Sequence, residues 1–239
     1  MRLFLALPPV RRVYWLLIAV LVVAIFLLLW ARGPQLEGTE VGRRAQEELQ
    51  RTASYRFDLT IRTVIDGQEA VVSAVSGDFV RPDTFYLHGR SYDYDLHLYR
   101  LNGQLVFRDP VDGEWKEADA GPNLVAEAVN LTTSPLTDFL AASEFDLLGR
   151  ERVARRECYR LKSSLAEVSN EYWRLFFTDF DLECWVDAST FKLQKIGLLG
   201  TNKEVAEDRL EIELCLRDHD APIDITFPPG IHRAGPRNL

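Results

Sequence analysis

The residues of this chain that could carry chemistry are few and scattered. The four histidines, His88, His97, His219 and His232, are far apart in the sequence, and none belongs to an HExxH run or a closely spaced ligand pair. Asp218-His219-Asp220 resembles a metal-binding triplet in composition, but at the end of a candidate strand it reads as a turn. Tyr92-Asp93-Tyr94-Asp95 would offer two carboxylates for acid–base work. On a strand, however, Asp93 and Asp95 share the face opposite the two tyrosines, and that face reads as solvated. No serine sits in a nucleophile elbow and no glycine-rich phosphate loop follows a strand. Asn130-Leu131-Thr132 matches a glycosylation sequon, a match that is common by chance.

The three cysteines, Cys158, Cys184 and Cys215, form no CxxC and no Cys/His cluster, so a structural zinc site has little support. Cys158 and Cys184 fall on strands that could be neighbours. A disulfide between them is permitted in an oxidising compartment, with unpaired thiols as the default. Trp115, Trp173 and Trp185 read first as core residues and second as walls of a cavity. These observations exclude no partner chemistry, but they point away from an enzyme. No cofactor and no metal is expected.

The elements that position these residues begin with an apolar run. Residues 13–30, VYWLLIAVLVVAIFLLLW, hold 18 residues without a charge or a proline. As a helix they would span roughly 27 Å, close to the hydrocarbon thickness of a bilayer. Tyr14, Trp15 and Trp30 sit near the ends of the run, where amphipathic rings prefer the interface, and Arg11, Arg12 and Arg32 bracket it. A cleaved signal peptide has a shorter apolar region and a small-residue cleavage site, which LLLWARG does not supply. The expectation is an uncleaved single-pass anchor in the cytoplasmic membrane, its N-terminus inside. Residues 33–42 then read as a linker.

Beyond residue 32 the chain holds 24 lysines and arginines against 36 acids, a net charge of −12. Such a domain repels a phosphate backbone, so nucleic acid is not an expected partner. Val41, Ala45 and Leu49 recur at helical spacing. From residue 54 the period becomes two: Tyr55, Phe57, Leu59 and Ile61 alternate with Arg56, Asp58, Thr60 and Arg62. Asp66-Gly67 and Asn102-Gly103 are hairpin signals between short strands, including a fourth strand with Tyr92, Tyr94, Leu96 and Leu98 facing in.

Helical spacing returns over residues 122–129 and 136–148, where Pro135 supports a helix start. A further helix is expected around residues 165–176. Strands are expected at 153–163, 182–187, 191–198 and 209–217, with a last one at 223–227. A sheet of about nine or ten strands with one apolar face, capped by few helices, would leave a cavity.

The segments GDFVRPDTFYL (77–87), DPVDGEWK (109–116), LLGRERVARRECYRLK (147–162), ECWVDASTFKLQKI (183–196) and IDITFPPG (223–230) follow one another in a familiar order. Over roughly residues 41–230 the chain resembles the LolA-like half-barrel domains, which include lipoprotein carriers, the lipid-binding lipoproteins of the LppX–LprG type and some regulatory sensor domains. The resemblance implies an α+β fold: a curved antiparallel β half-barrel with helices on its concave face, here following a transmembrane helix. It also implies an apolar cavity for acyl chains or a hydrophobic partner.

The expected division is an anchor over 1–32, a linker over 33–42, the half-barrel over 43–230 and a tail over 231–239. Leu124, Val125, Val129, Phe139 and Leu140 are the candidate lining of the cavity. The expected function is non-enzymatic binding of a lipid, lipoprotein or other apolar ligand outside the cytoplasm. The alternative is an envelope regulatory or structural protein whose half-barrel binds another protein.

Overall fold

A computed structural model describes Tyr14, Ile18 and residues 20–22, 36–101, 103–117 and 124–226; the side chains of residues 124–128 and 131 are not among those described. The chain divides into two compact units, Met1–Leu36 and Glu37–Leu239. In the first, Tyr14, Ile18 and residues 20–22 are helical and exposed. Most of the expected span, residues 13–30, lies outside the described residues. Among those described, no helix is long and apolar enough to cross a membrane.

The second unit starts with α1, Gly38–Arg51, three residues ahead of the predicted onset at Val41. Val41, Ala45 and Leu49, one i,i+4 stripe, are buried. They press the helix onto one half of a single 11-stranded antiparallel sheet. In chain order the strands are β1 (Ser54–Ile65), β2 (Gln68–Val80), β3 (Thr84–Ser91), β4 (Tyr94–Leu101), β5 (Gln104–Arg108) and β6 (Trp115–Glu117). After α2 (Leu124–Ala141) come β7 (Asp146–Val153), β8 (Arg156–Leu165), α3 (Glu171–Phe176), β9 (Phe177–Asp187), β10 (Leu193–Asn202) and β11 (Arg209–Arg217).

The strand order is β6-β5-β4-β3-β2-β1-β11-β10-β9-β8-β7. Every neighbour is a sequential meander partner except β1 and β11. These two pair antiparallel with Phe57 opposite Leu216 and Ile61 opposite Ile212, joining the two halves of the chain at the centre of the sheet. The period-two pattern of β1 is realised as expected, with Tyr55, Phe57, Leu59 and Ile61 buried on the helix-bearing face. Leu210, Ile212, Leu214 and Leu216 extend that face across β11.

Four expectations are corrected. The helices expected at 122–129 and 136–148 are one helix, α2, with Pro135 inside it, and residues 146–148 instead begin β7. The helix around 165–176 shrinks to α3, because β8 runs on to Leu165 and β9 already starts at Phe177. Residues 223–226 form no strand, and Phe227 lies outside the described residues. Tyr92 is not on the fourth strand: it occupies the β3–β4 turn with φ 52°, while Tyr94, on the same face of β4 as Leu96 and Leu98, is exposed at the strand's end.

An antiparallel meander sorts its connections to two ends. At the end where α1 begins lie the β1–β2, β3–β4, β5–β6 and β10–β11 turns, α3 and the start of β7. This is the entry end. Thr39 accepts a hydrogen bond there from the Phe145 amide at 3.2 Å, beside the first residue of β7. At the exit end lie the β2–β3, β4–β5, β7–β8 and β9–β10 turns and the end of β11.

Candidate functional site

α2 crosses the concave face on the β1–β4 side and borders a partly open pocket of about 110 Å³ against it. Tyr55, Phe57, Phe79, Phe85 and Leu214 supply the sheet wall; Val129, Thr132, Thr133 and Leu136 supply the helix wall. Period two puts these sheet residues on one face: Tyr55 stands opposite Phe79, and Phe79 opposite Phe85. The Tyr55 and Phe79 rings stack with centroids 4.8 Å apart. Burial pushes the Tyr55 phenol up to about 12, against a small opposing effect of Arg81, so the hydroxyl stays neutral in this wall. Asp83 and Arg100 form the polar border, with Arg100 Nε donating to Asp83 Oδ2 at 2.9 Å.

Near its C-terminal end α2 is tied by side-chain hydrogen bonds to α1 and to the segment before α3. Gln46 of α1 donates to the carbonyls of Phe139 and Ala142, both at 2.8 Å. The Ser169 amide donates to Asp138 Oδ1 at 2.6 Å, and the Ser169 hydroxyl donates to the Ser134 carbonyl at 3.3 Å. Asp138 is buried, its second carboxylate oxygen meets no partner, and burial pushes its pKa up.

The five residues expected to line a cavity are distributed unevenly. Val129 is in its wall. Phe139 is fully buried beside Phe145, ring centroids 5.8 Å apart. Leu140 is exposed. The side chains of Leu124 and Val125 lie outside the described residues. The aromatic sheet wall is not in the expected set, although the alternation in residues 55–61 carries the signal for its β1 part.

The other scattered candidates lie on the convex face and at the exit end, except Trp173 of α3. His88 and His97, far apart in the sequence reading, stand directly opposite one another on β3 and β4, ring centroids 6.4 Å apart. The Tyr86 hydroxyl lies 3.3 Å from His97 Nδ1. Burial, with smaller effects of His88 and Arg108 against Asp95, pushes His97 down. Trp115 joins this aromatic group, 5.4 Å from Tyr99, so it belongs to neither the core nor the cavity wall. Trp173 is buried as expected. Trp185 is buried on the convex face beneath the Lys195 ammonium, 4.9 Å from its ring.

Beside Trp185 a depression of about 340 Å³ is lined by paired charges, including Lys162–Asp181 at 2.9 Å and Lys195–Glu213 at 2.6 Å. Asp218-His219-Asp220 is a turn: Asp218 and Asp220 adopt φ 53° and 60°, and Asp220 Oδ1 accepts from the Ala53 amide at 2.8 Å. Among the described residues no group of three or more His, Cys, Asp or Glu side chains could hold a metal ion; His232 lies outside them.

Cys158 and Cys184 are on neighbouring strands, yet both are free thiols. Cys184 stands opposite Leu161 and Cys158 opposite Asp187, an odd offset that points the two sulfurs to opposite faces of the sheet.

The sequence matches no protein-family model and no curated protein. The fold matches solved structures. LprF from Mycobacterium bovis superimposes with a TM-score of 0.54 at 10% identity, over 80% of this chain and 96% of that one. The lipoprotein LppX from Mycobacterium tuberculosis gives 0.49 at 8% identity, over 79% and 98%. A LolA superfamily protein from Nitrosomonas europaea gives 0.32 at 12% identity, over 77% and 94%. The likeness to LprF shows the fold: the chain, with its 11-stranded antiparallel sheet, shares the fold of that protein.

Proposed function

We propose that this chain is a membrane-tethered, extracytoplasmic binding protein that takes the apolar part of a lipid or lipid-modified ligand beneath α2 and catalyses no reaction. One observation carries the reading: an apolar pocket kept between the concave sheet and α2, which covers the β1–β4 side. A core under no functional demand packs such space shut, because each unfilled ångström cubed costs stability. The lining offers stacked rings and methyl groups, with a single ion pair at its border, which suits an acyl chain better than a reacting polar substrate.

A cavity of about 110 Å³ is smaller than the roughly 300 Å³ of an ordinary ligand pocket. A whole acyl chain therefore requires α2 to move away from the sheet. The ties to Gln46 and Ser169 would anchor the C-terminal end of α2 during such a movement. The tether is supplied by residues 13–30, with the half-barrel on the outer side of the cytoplasmic membrane. Native mass spectrometry of the full chain, extracted from membranes in mild detergent, tests the reading. A lipid adduct that survives release from the micelle is expected. A protein carrying no adduct, which also takes none up from added fatty acid or phospholipid, would refute it.

A further inference from the structure

The half-barrel exposes thirteen large apolar side chains among its described residues, and all of them fall at or within a few residues of the entry-end connections. Leu175 and Phe176 of α3 are 68% and 48% exposed. Tyr172 stands one turn before Phe176, Val205 lies in the β10–β11 turn, and Ile65 and Tyr92 mark the β1–β2 and β3–β4 turns. Ion pairs occur at both ends, Arg56 and Arg217 with Asp218 and Arg156 with Asp187 at the exit end, Arg62 with Glu69 and Lys116 with Asp109 and Asp112 at the entry end, so it is the exposed apolar side chains alone that distinguish the entry end. Exposed apolar residues scattered singly are ordinary, but a segregation of this kind along one end of a fold marks an interaction surface.

The sequence says what meets it. The half-barrel begins at Glu37, and α1 starts at this same end, where Gly38 lies against the backbone of Phe145 and Leu147. Only six residues separate Glu37 from Trp30, the last residue of the apolar run, and a chain that short reaches at most about 21 Å when fully extended. We propose that the entry end docks on the lipid surface of the bilayer that holds residues 13–30, with the tips of α3 and the adjoining turns inserted at the headgroup level. The proposal rests on the membrane tether of the previous section and adds an orientation to it. Leucine and phenylalanine provide the insertion, and the tyrosines suit the interface. Acids and bases are mixed at this end, with Arg62 paired to Glu69 and Arg90 to Asp93, so no basic patch selects anionic headgroups and a neutral surface suffices.

The test uses the full chain in phosphatidylcholine vesicles. Two single-site nitroxide labels are introduced in a Cys215→Ala background, Cys158 and Cys184 being buried: Leu175→Cys at the entry end and Thr190→Cys at the exit end. Flotation of the vesicles first reports the tether, and collision rates with oxygen and with a water-soluble nickel chelate then report depth. The expected result is flotation, with a higher ratio of oxygen to nickel collisions at position 175 than at position 190. Flotation with equal ratios would overturn the docked orientation and leave the tether intact. A label at 175 shielded from both reagents would assign the surface to a protein partner and overturn the proposal. Failure to float would remove the tether and the docking together.

Discussion

If the space beneath α2 is kept for a ligand, filling it should strengthen the fold while abolishing binding. Val129→Phe is the perturbation: Val129 is in the helix wall of the cavity, and phenylalanine and valine have similar helix propensities, so the change is read mainly through packing. A closed void of about 110 Å³ would at about 24 cal/mol per Å³ cost about 2.6 kcal/mol, and because this pocket is partly open that figure is a ceiling on what complete filling can gain. One benzyl group fills part of it, so a gain of about 1 kcal/mol is expected. Such a gain raises the melting temperature by roughly 2–4 °C for a domain of this size.

Urea unfolding of the detergent-solubilised chain measures this gain, after stripping of bound lipid so that a ligand does not stabilise the parent protein by mass action. Native mass spectrometry on unstripped samples should show the lipid adduct lost. A variant that is less stable than its parent would show that the walls cannot accept the ring, as overpacked cores do not. A variant that keeps the same adduct would place the ligand elsewhere.

Other outcomes follow from particular contacts. Gly42→Ala should destabilise by about 1–2 kcal/mol in the same unfolding assay even though alanine favours a helix by about 1 kcal/mol, because its Cβ would lie 2.2 Å from the Phe145 ring; adding Phe145→Leu should recover part of the loss. Asp138→Asn should be neutral or stabilising, since it keeps an acceptor for the Ser169 amide and removes a carboxyl whose charged form burial disfavours, whereas Asp138→Leu should lower the melting temperature. Burial holds the His219 and His97 imidazoles below the ordinary 6.5, so in the unfolded chain they take up a proton at a higher pH than in the fold. Their contribution to stability is complete above pH 6.5 and is lost as the pH falls through the lowered values. The unfolding free energy should decline accordingly on acidification, and His219→Gln should flatten that decline.

What the sequence determined by itself is whatever depends on near neighbours along the chain. The alternation of Tyr55, Phe57, Leu59 and Ile61 specified β1 and its buried face, the Val41–Ala45–Leu49 stripe specified α1, and Asp66-Gly67 specified a hairpin, because side-chain period and turn conformation are local properties. β7 was not legible: DLLGRERV has no alternation, and it is a strand only because β8 offers it a ladder at the edge of the sheet. Pro135 read as a helix start, yet it lies inside α2, a helix tied at Ser134 and Asp138 to Ser169, thirty-one residues or more away.

Tertiary structure alone paired β1 with β11, brought His88 beside His97, turned Cys158 and Cys184 to opposite faces and set the aromatic sheet wall against α2. It also gathered Ile65, Tyr92, Leu175 and Val205, unremarkable singly in the sequence, at one end of the sheet. Each of these depends on registry between distant strands. An antiparallel ladder sets that registry through the burial of a whole face, and no short window of sequence contains it.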